Sequence, residues 1–203
     1  MLRLFGIVES TKRTNYIFVD YENVQELDLN LIAGKPVRVI LVLGERHKNL
    51  PLELVKQLLK FAAQVELVET GRSGKNALDL VLASHIGEAK KTDPHGYFHI
   101  LSRDKDFDAL IHHLKTQGAL AARHGAFSEI KVLMTKSERM NWLREHFKAA
   151  QTNRPKKRKT LESHVQAQFG KALSTSELEE TINGLIAAKI ISFTAKDEVV
   201  YSK

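Results

Sequence analysis

Tyr16-Ile-Phe-Val-Asp20-Tyr-Glu22-Asn23 is the stretch that decides how this chain folds. Ile17–Val19 is short and continuously apolar, and continuous rather than alternating apolarity marks a strand buried on both faces. The run ends on an acid, and Glu22 and Asn23 follow at once, more polar density than a plain turn requires. Working outward, the same pattern recurs. Val37–Leu43 is a second apolar run ending at Gly44, Val65–Val68 a third closed by Gly71, and Tyr97–Leu101 a fourth. Helical spacing fills the gaps. Leu54, Val55, Leu58, Leu59 and Ala62 keep the 3.6-residue period behind Pro51, a residue suited to a first turn. A second helix is predicted from about Ala77 to Ala89 with Asn76 as its N-cap. A third, about Lys105 to Lys115, shows Phe107, Leu110, Ile111 and Leu114 and stops at Gly118. Leu120–Ala122 and Ile130–Met134 read as further short strands, and Lys136–Ala149 as a last helix. Alternating β and α elements joined by short connections predict an α/β fold with a doubly wound, Rossmann-like parallel sheet.

Composition bounds the rest. The 203 residues are 43% hydrophobic and 27% charged, ordinary values for a soluble globular protein. With no cysteine, disulfides and thiolate zinc sites are excluded, and a reducing compartment is the natural expectation. No apolar run approaches the ~20 residues that span a bilayer, and Met1-Leu-Arg-Leu-Phe-Gly-Ile-Val-Glu9 is too short and interrupted for a secretion signal. A cytoplasmic protein without a membrane partner is expected. The net charge of +7 is uneven. Residues 1–150 carry 22 Lys and Arg against 18 Asp and Glu; residues 151–160 carry five basic and no acidic residues; residues 161–203 carry four basic and six acidic. A basic excess favours a polyanionic partner through phosphate contacts and counterion release.

The chain divides into an N-terminal segment (1–15) without an assignment, the α/β domain (16–150), a basic linker (151–160) and a small module (161–203). The linker reads Gln151-Thr-Asn-Arg-Pro-Lys-Lys-Arg-Lys-Thr160. In the module, Thr160–Phe169 has helical character, and Ser174 with Glu177 forms a capping box that opens a second helix. Ile190–Thr194 and Val199–Tyr201 then form a hairpin around Ala195-Lys-Asp-Glu198. Helix, helix and hairpin make a winged-helix-like module with one helix fewer than the usual three. Such modules bind partners more often than they catalyse, so a protein partner or a homodimer is expected through it.

Three acids stand at or just beyond the carboxyl ends of different strands: Asp20, Asp79 in Asn76-Ala-Leu-Asp79, and Asp104 in His99-Ile-Leu-Ser102-Arg-Asp104-Lys-Asp106-Phe-Asp108. In an open parallel sheet these ends share one crevice, where ligands bind. Carboxylates gathered there repel one another and lose hydration, and a hard divalent cation is the usual reason they persist. On a helical projection Asp79 falls about 20° from Ile86 and about 60° from Leu82, on the buried face. An unpaired carboxylate there costs several kcal/mol, roughly, of which the helix dipole returns only ~0.3–1 kcal/mol. Asp104 is placed to cap the following helix, a role compatible with facing the crevice. Asp106 and Asp108 point roughly 160° apart, so at most one joins the site directly.

Other chemistries are set aside. Gly71-Arg-Ser-Gly74-Lys75-Asn76 lacks the glycine spacing and the Ser/Thr after Lys of an ATP phosphate loop. His112 and His113 are adjacent on a helix and point about 100° apart, so they cannot chelate one ion together. No Gly-x-Ser-x-Gly elbow or cysteine nucleophile is present.

Phe18-Val-Asp20-Tyr-Glu-Asn23, Ser73-Gly-Lys-Asn-Ala-Leu-Asp79 and Ile100-Leu-Ser102-Arg-Asp104-Lys-Asp106-Phe-Asp108, in that order, resemble the PIN-like nucleases, and more specifically their NYN branch and its bacterial relatives. The resemblance covers about residues 15–135. It implies a metal-dependent endoribonuclease that cleaves RNA with Mg²⁺ or Mn²⁺ held by Asp20, Asp79 and Asp104. Asp108, or in second place Asp106, would be the fourth carboxylate. Asn23, Ser73, Lys75, Asn76, Ser102 and Arg103 would face substrate, while Arg72 and Arg123 offer further phosphate contacts. A catalytically silent nucleic-acid-binding regulator and a DNA-directed nuclease are the alternatives.

Overall fold

β1 (Asn15–Asp20) is the middle strand of a five-stranded, all-parallel sheet in the computed structural model of the protein, which describes residues 13–45, 47, 49–71, 74, 76–150 and 152–202. β2 (Val37–Leu43) and β3 (Val65–Glu69) lie on one side of it, β4 (Tyr97–Leu101) and β5 (Leu120–His124) on the other, giving the order β3-β2-β1-β4-β5. The chain winds outward from β1 to β3, crosses back through α2 (Ala77–Thr92) and continues from β4 through α3 (Phe107–Thr116) to β5. The strand order therefore reverses between β1 and β4. Their carboxyl ends form the switch-point crevice where such sheets bind ligands.

Alternate side chains of β1 explain why its apolar run is unbroken. Ile17 and Val19 join one core with Val39, Leu41, Leu54 and Phe61 beneath α1 (Leu52–Lys60). Phe18 joins the other with Ile40, Val42, Leu82, Ile86, Ile111 and Leu114 beneath α2 and α3. Both faces are dry, so hydrophobicity cannot alternate. β3 differs: as an edge strand it leaves Leu67 exposed.

Ile130–Met134 does not form the strand expected of it. Its apolar residues bury in a 3-10 turn, Lys131–Leu133, with Ile130 and Leu133 against the first core. A single packed turn and a short strand present the same apolar run, and here Ile130, Val132 and Leu133 reach the first core from the turn. Asn76 stands at the N-cap position of α2 but adopts a left-handed conformation, φ 61°, and makes no side-chain cap. The residues before Arg13, left unassigned by sequence, lie outside those described.

The C-terminal module is larger in its packing than its sequence bounds. α4 (Lys136–Ala149) buries Leu143 and Phe147 with Leu161 and Val165 of α5 (Arg158–Gln168), Ile182 and Leu185 of α6 (Thr175–Ala187), and Ile191 of β6 (Ile191–Phe193). α4 thus supplies the third helix that the sequence reading lacked. The capping box of Ser174 and Glu177 opens α6, and β6 pairs antiparallel with β7 (Val199–Tyr201). The basic segment is not a free tether. Val199 N–H donates to Lys156 O at 2.9 Å, Arg158 N–H to Asp197 O at 3.1 Å, and Tyr201 Oη–H to Pro155 O at 2.9 Å.

The module meets the sheet at Gly170, where a Cβ would stand 2.8 Å from Asn15 Oδ1. Asn15 begins β1 and Asp20 ends it, so this contact lies about 16 Å along the strand from the acidic end. Asn15 Oδ1 is 3.0 Å from His99 Nε2, and His99 Nδ1 is 3.1 Å from His124 Nε2, a network buried under the first core. Burial, with His124 adding to it, pushes His99 down to about 3, so the ring is neutral.

Candidate active site

Asp20 is 1% exposed, and its carboxylate is held from two sides. Ser102 Oγ–H donates to Oδ2 at 2.7 Å, and Asn23 Nδ2–H donates to the same oxygen at 2.6 Å. The Asn23 N–H reaches Oδ1 at 3.3 Å. Ser102, fully buried, also accepts the backbone N–H of Asp104 at 3.0 Å. One hydroxyl therefore ties the end of β1 to the turn after β4. Sequence alternation explains the meeting: Asp20 and Ser102 continue the series Phe18 and Ile100, which face α2.

α2 brings the third acid. Leu78, Leu82 and Ile86 anchor the helix on the sheet, and Asp79, in its first turn, is left half-buried over the ends of β1 and β4. Its carboxyl is raised from the ordinary range, first by burial and then by Asp20, Asp104, Asp106 and Glu22. These four charges are all negative, so five carboxyl groups converge on the crevice. Glu22, not singled out by sequence as a site residue, belongs to this group. Its side chain lies over Gly44, where a Cβ would stand 1.8 Å from Oε1. Gly44 is small because the acid occupies that space.

Asp104 does not cap α3. Its Oδ1 accepts the Asp106 N–H at 2.9 Å in a local turn, and α3 begins two residues later than expected, at Phe107. The two remaining acids separate. Asp108 is turned to Arg123, which donates through Nε at 2.7 Å and Nη2 at 3.2 Å. This hydrogen-bonded pair holds the Asp108 carboxyl below its usual range. Asp106 is among the charges that raise Asp79. Arg123, expected to be free for phosphate, is instead spent on Asp108 and on Ser102 O at 3.1 Å, which braces the β4 turn. Arg103 is exposed beside Asp104 and lines an apolar cleft with Val24, Leu27 and Phe127. Asn76 is exposed at the start of α2. Ser73 and Lys75, with Arg72, lie outside the described residues.

Among the described residues no three acidic, imidazole or thiol groups stand close enough to close a metal cluster as the side chains lie; the Asp20 oxygens are turned to Ser102 and Asn23. The donor set nevertheless fits a hard divalent cation, because it is all oxygen, it is concentrated at one crevice, and Asp79 carries a charge that its neighbours oppose.

Comparison with known proteins agrees with this geometry. No curated protein matches the chain. The PIN domain family matches it over residues 14–124, from the approach to β1 to the last residue of β5, and so includes Asp20, Asp79, Asp104, Asp106 and Asp108. PIN domains are generally metal-dependent nucleases. The all-parallel sheet, the switch point between β1 and β4 and the match over more than half its length together show that this chain belongs to the PIN domain family.

Proposed function

We propose that the protein is an endoribonuclease of the NYN type that hydrolyses RNA phosphodiester bonds with Mg²⁺ or Mn²⁺. The observation that carries the reading is Asp79: a half-buried first-turn carboxyl, raised first by its burial and then by Asp20, Asp104, Asp106 and Glu22. A purely structural acid at a helix start would have no reason to sit among four others. The basic balance of the chain supports a polyanionic substrate.

Asp20, Asp79 and Asp104 would hold the cation, with Asp106 as the fourth carboxylate in preference to Asp108, which is engaged by Arg123. When bound, such a cation lowers the pKa of a water molecule and offsets charge that develops on the phosphate. Ser102 and Asn23 fix the orientation of Asp20, and Ser102 fixes the turn that carries Asp104. These bonds fix the end of β1 against the turn after β4, while the Asp79 and Asp106 carboxylates would turn to complete the set around the cation. Arg103, exposed on the same turn, would meet a flanking phosphate. Asn23, Ser73, Lys75 and Asn76 remain assigned to the substrate side of this proposal.

The test is cleavage of labelled single-stranded RNA, structured RNA and DNA with Mn²⁺, Mg²⁺ or EDTA, for wild type and Asp79→Asn. Metal-dependent RNA cleavage absent from the variant supports the reading. Cleavage unchanged in the variant would sink the site assignment. RNA binding without cleavage would favour a silent regulator, and cleavage confined to DNA the other alternative.

A further inference from the structure

The C-terminal module contains a second concentration of charge, opposite in sign and remote in sequence from the acids. A cavity of about 620 Å³ opens between α4, the segment before α5 and the end of β7. Arg144 and Lys148 reach it from α4, Arg154 from the basic segment and Lys189 from the turn after α6, over a floor that includes Phe147 and Tyr201. No acidic residue lines it among the described residues. Four cations drawn from three separate stretches of chain repel one another, and folding keeps them together all the same.

Partners inside the protein are few. Lys148 has Glu145 at 2.9 Å, but both side chains are about two-thirds exposed, so the pair holds it weakly. Arg144 has only a 3.5 Å contact with Asn141 Oδ1. The Arg154 guanidinium lies 5.0 Å from the centre of the Tyr201 ring, and its Nε is shut off from solvent without a hydrogen-bond acceptor. The remaining nitrogens of that guanidinium have no acceptor within the protein among the described contacts. The Tyr201 hydroxyl is committed to Pro155 O, which fixes the segment carrying Arg154.

We propose that this cavity binds the phosphate backbone of single-stranded RNA and anchors it away from the acidic crevice; only the choice of RNA rests on the nuclease reading. Its volume lies within the ~300–1,000 Å³ of small-ligand sites. Two guanidinium groups suit bidentate phosphate recognition, and two ammonium groups add charge without restricting direction. The location explains why the basic segment is hydrogen-bonded into the module rather than left free: Arg154 reaches the cavity only if Pro155, Lys156 and Arg158 are tied to β7 and its turn.

The experiment measures anisotropy of a labelled twelve-nucleotide RNA on full-length protein carrying Asp79→Asn, so that the probe is not cut. It compares that background with Arg144→Gln/Lys148→Glu added, and with the charge-matched surface change Lys91→Gln/Lys56→Glu on α2 and α1. The pocket variant is expected to bind at least about tenfold more weakly, with a salt slope smaller by about 1.4 for two lost phosphate contacts. The surface control should change neither. Equal loss in both would mean diffuse electrostatics and overturn the proposal, as would unchanged binding in the pocket variant. Competition by an acidic peptide as strong as by RNA would overturn it in favour of a protein partner. Lys148→Ala, at an exposed position, supplies a mild second variant, and retention of the thermal midpoint checks folding. Cleavage of a dinucleotide by otherwise wild-type protein should be unaffected by the pocket changes. RNA binding lost in the pocket variant of a protein that never cleaves would leave the cavity standing and remove the nuclease reading alone.

Discussion

The acidic crevice between β1 and β4 and the basic cavity beside α4 are one physical situation with the sign reversed. Elsewhere opposite charges pair: Asp108 with Arg123, Arg158 with Asp197, Lys136 with Glu180. In these two places like charges gather. What separates them is solvent. Asp79 is desolvated at the sheet, so its neighbours act on it strongly. Lys148 keeps most of its side chain in water, where like charges cost little. The first region therefore trades stability for a tight, short-range site. The second can attract a polyanion over a distance while hardly burdening the fold.

The comparison is broken most directly at Asp79. Asp79→Asn is expected to lower metal-dependent RNA cleavage at least about 100-fold, the scale of losing a charge-stabilising group. It should also raise the thermal midpoint at pH 7 by a few degrees, roughly, because it removes a repelled charge. A lower midpoint would show that Asp79 is paired and that the crevice is a structural network. In wild type, Mn²⁺ at about 100 times its Kd should add about 2.7 kcal/mol of stability, read by calorimetry, and less in the Asn variant.

Asp106 and Asp108 sharpen the boundary of the crevice. Asp106→Asn should weaken Mn²⁺ binding and cleavage about tenfold or more. Asp108→Asn should leave metal binding near wild type, since its partner is Arg123. Titration calorimetry on both variants decides which acid belongs to the site, and a larger loss in the Asp108 variant would reverse the assignment.

Protons should compete with metal at the crevice. Asp79 is raised in the folded protein, so its carboxylate is complete only above that raised value. Mn²⁺ affinity is then expected to keep rising with pH beyond the ordinary carboxylate range, and the proton release measured on binding should shrink in Asp79→Asn. For stability the sign is opposite to that of a paired acid: protonating Asp79 favours the fold, so its cost appears as pH rises through its folded value.

A final test, with no effect expected on metal binding, separates the crevice from the rest of the sheet. His99 is neutral when folded because its value is depressed to about 3, while the unfolded imidazole titrates near ~6.5. The stability it contributes is present above pH ~6.5 and is lost as pH falls towards 3, at no more than about 1.4 kcal/mol per pH unit. Replacing His99 with Gln should flatten that acid limb in urea titrations without altering the pH dependence of Mn²⁺ binding. A change in both would mean that the two ends of β1 are coupled.

Legibility in the sequence follows the range of the forces. Ile17–Val19, Val37–Leu43 and Tyr97–Leu101 announced buried parallel strands because burial on both faces leaves an unbroken apolar run. Asp20, Asp79 and Asp104 were visible because each sits at a fixed offset from such an element. Glu22 was legible only as extra polarity, since its place over Gly44 depends on β2 arriving beside β1. The run at 130–134 was misread because one packed 3-10 turn and a short strand share a pattern.

What the sequence by itself determined is the α/β alternation, the acids at the carboxyl ends and the basic excess, all set by local periodicity and charge. Only the tertiary structure decided which acids meet. Arg123 comes from β5, fifteen residues after Asp108, and engages that carboxylate in an ion pair. Tertiary packing also joined α4 to the C-terminal core through Leu143 and Phe147, and bound the basic segment to β7 and its turn. These outcomes depend on which distant side chains arrive at one place, and no periodicity within a single element carries that information.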